Sequence, residues 1–249
     1  MRRNRLLLIV AGVALGMFGC RADQPSRQSS AAATRSSDSP QAETPDPSPA
    51  TAAPDRLAPD AAHDTRPLLV CFGDSLTAGY GAGANQSYPD YLQTDLDAMG
   101  YRYRVVNEGI GGNTTKDGVE RLATIVALKP AVVVVEFGGN DGLRGLPIEE
   151  LRANLEKIIA TLKASGTKIV LAGITLPPDY GPDYIKQFDA TYSLLAEKYH
   201  VPLLPFLLQG VFGVDGMMQA DKTHATANGN KIVAKNVLPL VLPLLKKQR

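Results

Sequence analysis

From Leu68 onward the chain alternates short apolar runs with longer stretches in which apolar residues recur every three or four positions. Leu68-Leu-Val-Cys-Phe72, Arg104-Val-Val106, Ala131-Val-Val-Val-Val135 and Lys168-Ile-Val-Leu-Ala172 are the runs, and Val201-Pro-Leu-Leu204 is a fainter fifth. Apolar side chains at consecutive strand positions bury both faces of the strand, the signature of a parallel sheet covered on two sides. Between the runs, residues 88–99, 116–128, 148–164 and 183–199 carry helical spacing. In the third, Ile148, Leu151, Leu155, Ile158, Ile159 and Leu162 make one apolar face. A last helix is expected from Ala227 to Val237 or beyond. Strands alternating with helices predict an α/β chain: a three-layer α/β/α sandwich around a central, mostly parallel five-stranded sheet. Residues 67–249 form that domain.

The N-terminal third has a different texture. Met1-Arg-Arg-Asn-Arg5 is basic, and the apolar run from Leu6 to Phe18 is shorter than the roughly 20 residues a membrane-spanning helix needs. Residues 1–20 therefore read as a secretory signal. The signal ends Met17-Phe18-Gly19-Cys20, which resembles the lipobox of bacterial lipoproteins; that resemblance implies lipidation at Cys20, and the alternative is an ordinary signal in which Cys20 is incidental. Residues 21–66 contain 11 Ala, 7 Pro, 7 Ser and 4 Thr, and Leu57 is their one large aliphatic residue. Such a segment buries too little apolar area to offset its ordering entropy and is expected to be a disordered tether. His63 lies in it and is expected to be inert.

Composition narrows the chemistry. The 249 residues hold 26 Lys plus Arg against 25 Asp plus Glu, without the clustered basic excess of a nucleic-acid binder. Two cysteines, Cys20 and Cys71, and no C-x-x-C pair leave no thiolate zinc site or disulfide framework. Three histidines leave little scope for a histidine-rich metal site, and no metal or organic cofactor is expected.

In an open parallel sheet the ligand site lies beyond the carboxyl ends of the strands. The loops there are Gly73-Asp-Ser-Leu-Thr77, Asn107-Glu-Gly-Ile-Gly-Gly-Asn-Thr114, Gly138-Gly-Asn-Asp141 and, near the end, Asp221-Lys-Thr-His224. Together they offer the parts of nucleophilic acyl transfer. Ser75 is the candidate nucleophile, His224 the base that takes its proton, and Asp221 the group that orients the far ring nitrogen. Candidate oxyanion donors are the Ser75 amide, the Gly112 amide and the Asn140 side chain. Asp74 and Asp141 read as supports of their loops, Gly111 as part of a bend, His200 as a helix-end residue and Cys71 as a small core residue. The α/β-hydrolase elbow needs Gly-x-Ser-x-Gly and is not matched, since Thr77 stands two after Ser75.

These four blocks resemble the SGNH (GDSL) hydrolases, whose letters fall here on Ser75, Gly112, Asn140 and His224. The resemblance covers residues 68–236. Gly138-Gly-Asn-Asp-Gly-Leu-Arg-Gly145 and Leu176-Pro-Pro-Asp-Tyr-Gly181 are similar to the branch of bacterial periplasmic acyl-CoA thioesterase I, arylesterase and lysophospholipase. That resemblance implies an SGNH/flavodoxin-like fold, an acyl-enzyme route, and fatty-acyl esters or thioesters, lysophospholipids and aryl esters as substrates. It also implies a mobile loop at 176–181 beside an acyl groove, for which Leu143, Leu146, Leu176 and Pro177 are the expected lining. Asn113, Thr223 and Ala225 depart from the usual residues of the family. The expectation is a monomeric esterase tethered by lipid in the cell envelope, at the outer membrane facing the periplasm, or periplasmic if Cys20 carries no lipid. Two alternatives stand: a carbohydrate or peptidoglycan O-deacetylase of the same family, and a catalytically silent lipid-binding lipoprotein.

Overall fold

The central strand of the sheet is built from the most uniformly apolar run in the chain. In a computed structural model, which describes residues 64–247, β3 (Val132–Glu136) is buried over its whole length. It pairs with β1 (Leu68–Gly73) on one side and β4 (Lys168–Ala172) on the other. Next to β1 runs β2 (Arg104–Gly109), and next to β4 the two-residue β5 (Leu203–Leu204). All five strands are parallel, in the order β2-β1-β3-β4-β5. Burying a valine side chain contributes roughly 1.5–3 kcal/mol, so Val132 to Val135 alone anchor the centre of the sheet.

Helices cover the sheet in two packed sets. α2 (Tyr88–Ala98) lies against α7 (Ala227–Val241), while α5 (Ile148–Ala164) packs between α3 (Thr115–Ala127) and α6 (Pro182–Tyr199). This is the expected three-layer sandwich. Local chemistry sets the helix ends. Ser87 with Asp90, and Thr114 with Asp117, close reciprocal capping boxes at the starts of α2 and α3. α5 opens with Glu149 and Glu150 and closes with Lys163, each charge favourable to the helix dipole. α6 ends on His200 in the left-handed conformation, exposed and remote from the chemistry. The apolar tail after Leu238 continues α7 and then a 3-10 turn, Leu242–Leu244, and buries Val241 and Leu245 in the core.

Two short helices follow strands directly and were not legible as helices: α1 (Ser75–Ala78) after β1 and α4 (Gly139–Leu143) after β3. β2 is also longer than its apolar run, because Asn107, Glu108 and Gly109 pair in register with Cys71, Phe72 and Gly73. The order reverses between β1 and β3, and loops diverging in opposite directions there open a crevice at the carboxyl ends of the strands. Both short helices rise from that point. Residues 1–63, with the expected signal, Cys20, His63 and most of the expected tether, lie outside the described residues. Among the described residues no helix is long and apolar enough to cross a membrane.

The end of β2 passes so close beneath α1 that a Cβ on Gly109 would sit 2.1 Å from the Ala78 nitrogen and 2.6 Å from the Thr77 carbonyl carbon. Both contacts are backbone and cannot swing aside. Gly109→Ala is therefore expected to lower stability by about 3 kcal/mol or more, read as a reduced urea midpoint. A loss under about 1 kcal/mol would show that the two backbones do not meet this way.

Candidate active site

A helix of four residues makes too few backbone bonds to hold its shape alone, so the segment carrying Ser75 is fixed from outside. Asp74 caps α1, its Oδ1 accepting from the Leu76 amide at 3.0 Å, and Gly79 ends the helix with φ of +75°. Beneath the turn lies Glu136, the last residue of β3 and fully buried. Its Oε2 accepts from Thr77 Oγ1 at 2.8 Å and, more distantly, from the Asp74 amide at 3.4 Å. Tyr88 from α2 meets the Thr77 hydroxyl at 3.3 Å.

The histidine arrives on the long segment after β5. Residues 218 and 225 form an antiparallel bridge, and between them Asp221, Thr223 and His224 make a tight loop. Asp221 Oδ1 accepts from the amides of Thr223 (2.9 Å) and His224 (3.0 Å), which aims Oδ2 at the imidazole Nδ1, 2.7 Å away. Nε2 on the other side lies 2.9 Å from Ser75 Oγ. With the Nδ1 proton donated to the carboxylate, Nε2 is left as the acceptor for the serine hydroxyl. Burial pushes the Asp221 carboxyl up, but bonds from the His224 ring and the two amides outweigh it and hold the group below the usual carboxylate range. Two of the three departures from the family pattern, Thr223 and Ala225, fit: Thr223 supplies an amide to Asp221, and Ala225 is buried in the bridge.

Gln219 locks this loop to the serine segment. Its amide nitrogen donates to the carbonyls of Tyr80 (2.6 Å) and Ala225 (2.9 Å), and its backbone N–H donates to the His224 carbonyl. Tyr80 lays its ring 4.7 Å from that of His224. Neither residue was signalled by the sequence, since a lone glutamine and a lone tyrosine in loops carry no spacing. Arg121 on α3 was also missed. It stacks over Phe72 at 4.8 Å and donates to the Gly73 and Glu108 carbonyls, tying together the ends of β1 and β2.

Asn140 stands on α4 with its Nδ2 donating to Asp74 Oδ2 at 3.1 Å and to the Asn113 carbonyl at 3.0 Å. Both amide hydrogens are thus engaged, and a contact to a bound carbonyl oxygen requires one of them to be shared or released. Gly112 adopts φ of +77°, and an added Cβ would meet nothing closer than Arg144 Nη2 at 3.7 Å. The backbone conformation, rather than crowding, is what asks for glycine there. Asp141 accepts from the amide and hydroxyl of Thr115 and so supports its loop. Cys71 is buried in β1, its thiol pushed up to about 12 by burial.

Of the four expected groove residues, Leu176 is buried and lines an open cleft of about 830 Å³ together with Pro178, Pro182, Ile185 and Asp189. Leu143 is exposed, and Leu146 and Pro177 are half-buried; none of the three stands in the wall of that cleft. The segments carrying them are latched together, Tyr180 Oη donating to the Leu143 carbonyl and Tyr184 Oη to that of Leu146. Among the described residues no group of three or more His, Cys, Asp or Glu is placed to hold a metal ion.

The family described as GDSL-like Lipase/Acylhydrolase matches residues 71–232. Esterase TesA of Pseudomonas aeruginosa is 44% identical over 178 residues, 71% of this chain and 89% of that protein. Thioesterase 1/protease 1/lysophospholipase L1 of Escherichia coli is 37% identical over 186 residues, 73% of this chain and 86% of that protein. The crystal structure of TesA superposes with a TM-score of 0.69, covering 72% of this chain and 99% of that one.

Burial raises the Asp74 carboxyl from 3.8 to about 6, against partial compensation by its hydrogen bonds. The folded protein thus holds this proton more tightly than the unfolded chain. Its stabilising contribution is complete below pH 3.8 and is lost as pH rises through about 6. Asp74→Asn removes that dependence, so the Tm of the variant relative to wild type is expected to climb by roughly 5 °C between pH 4 and pH 7. A Tm difference that stays constant across this range would contradict the assignment.

Proposed function

The chain belongs to the GDSL-like lipase/acylhydrolase (SGNH) family and is a carboxylic ester hydrolase, and on that premise we propose that Ser75, His224 and Asp221 are its catalytic triad. The observation that carries the reading is the relay from Ser75 Oγ to His224 Nε2 at 2.9 Å and from Nδ1 to Asp221 at 2.7 Å. Ser75 attacks the ester or thioester carbonyl as His224 takes its proton, and Asp221 keeps the imidazole in the required tautomer and stabilises the imidazolium. The tetrahedral oxyanion is held by the amides of Ser75 and Gly112 and by Asn140, once its Nδ2 turns a hydrogen to the substrate. His224 then returns the proton to the leaving group and activates the water that hydrolyses the acyl-enzyme.

For substrates we infer fatty-acyl esters and thioesters, lysophospholipids and aryl esters. The names of the relatives support this class. The same reading places the enzyme in the cell envelope as a monomer tethered through a lipidated Cys20. Metabolic labelling with palmitate is expected to mark the full chain and to leave Cys20→Ser unmarked; equal labelling of both would remove the anchor from the reading.

Activity on p-nitrophenyl esters from acetate to palmitate tests the chemistry. Ser75→Ala is expected to abolish turnover, Asp221→Asn to lower kcat at least 10²-fold, and Asn140→Ala to lower it by about 10²–10³-fold. Medium or long chains should be preferred. Activity on acetate alone would favour a deacetylase, and undiminished turnover by Ser75→Ala would remove the nucleophile from the proposal.

A further inference from the structure

The relay accounts for Asp221 but leaves outside it a second pair of carboxyls, Asp74 and Glu136, buried directly beneath the nucleophile. Glu136 is the more unusual. An acidic side chain with no exposure sits at the end of a strand whose other four residues are valine, among side chains that bury apolar area. Its Oε2 is the common acceptor for Thr77 Oγ1 and the Asp74 amide, so one oxygen grips the chain on both sides of Ser75. Its Oε1 is buried and has no hydrogen-bond partner. A carboxylate with one oxygen so stranded would carry a large desolvation cost. A neutral carboxyl carries a smaller one, and a proton on Oε1 leaves Oε2 free to accept. Burial, with the nearby charge of Asp74 adding to it, drives Glu136 in the same direction.

The grip has a consequence at both ends of the site. On one side it sets the turn that points Ser75 Oγ at His224. On the other it fixes the Asp74 backbone, and Asp74 Oδ2 in turn accepts from Asn140 Nδ2. Tyr88 continues the chain through Thr77, which donates to Glu136 while receiving the tyrosine hydroxyl. Gly73 is required by the same packing, since a Cβ there would lie 2.6 Å from Glu136 Oε2 and 2.1 Å from Thr77 Oγ1.

We propose that Glu136 is a positioning residue of the hydrolase, a buried neutral carboxyl whose Oε2 clamps Asp74 and Thr77 and thereby aligns Ser75 and Asn140 for acyl transfer. The inference rests on Ser75 being the nucleophile. Because the clamp needs an acceptor and no charge, glutamine should replace Glu136 and leucine should not.

Four variants of the full chain test it against p-nitrophenyl butyrate at pH 8, each checked for folding by circular dichroism and thermal melting. Glu136→Gln is expected to keep kcat within about threefold of wild type. Glu136→Leu should lower kcat at least 30-fold with KM within about twofold, because the clamp acts on alignment and not on the acyl groove. Thr77→Val removes one arm of the clamp with little change of shape, and should lower kcat about fivefold. Ser75→Ala separates the two claims: if it stays active, the nucleophile itself is misassigned. If it is inactive while folded Glu136→Leu and Thr77→Val both keep kcat within twofold, the clamp alone is overturned. Equal losses in Glu136→Gln and Glu136→Leu, or an effect confined to KM, would also overturn it. Should Glu136→Leu fail to fold, Thr77→Val and Glu136→Gln decide the matter by the same limits.

Discussion

A serine that must present its hydroxyl to within 2.9 Å of an imidazole stands here on a helix of four residues, which has almost no stability of its own. What holds it is polar burial beneath the sheet edge. Asp74 and Glu136 are both buried, and each accepts bonds from the backbone or hydroxyl groups that define the turn. Two carboxyls in one low-dielectric place cannot both carry charge at small cost. Burial pushes both carboxyls up, Asp74 to about 6, and the charge of Asp74 adds to the rise at Glu136. The fold tolerates this expense because the surrounding β1 and β3 are otherwise apolar on both faces and well packed.

The remainder of the site converges on that turn from three distant parts of the chain. β1 and β3 are neighbours across the point where strand order reverses, so the loops after them, with Ser75 and Asn140, meet without further help. The histidine is a harder problem, because it lies 149 residues from the serine. Its loop is closed locally by Asp221 and by the bridge between Met218 and Ala225, and Gln219 then ties it to the Tyr80 carbonyl, just past the end of α1. The internal geometry of the Asp-x-x-His loop is thus local, whereas its distance from Ser75 depends on a single side-chain amide and on the packing of the segment after β5.

Much of the architecture was legible because its signals are periodic. The residue range expected for α5 matches the helix from Ile148 to Ala164, and each of the five strands starts within one of the five apolar runs. Boundaries failed where polarity and pairing disagree. Asn107, Glu108 and Gly109 read as loop, yet they pair with β1, Asn107 Oδ1 accepting from the Gly109 amide. α1 and α4 were illegible as helices, being too short to show a period. Leu143, expected to line the acyl groove, has an exposed side chain in the fold, and its carbonyl is the acceptor for Tyr180.

The alternation of strands and helices, the covered parallel sheet and the residue types at the strand ends can all be read along the chain, since each depends on hydrophobic spacing or on chemistry within a few positions. Family membership followed from the same short blocks. The relations between blocks came from the fold: the hydrogen bond from Ser75 to His224, the engagement of Asn140 by Asp74 and Asn113, and the partners of Arg121, Gln219 and Glu136. Glu136 shows the reason most clearly. In the sequence it is one acidic residue after four valines, and nothing near it says whether it ends the strand in water or continues it into the core. That is settled by Thr77 and Asp74, about 60 residues earlier, which come within its reach only once β1 and β3 have paired.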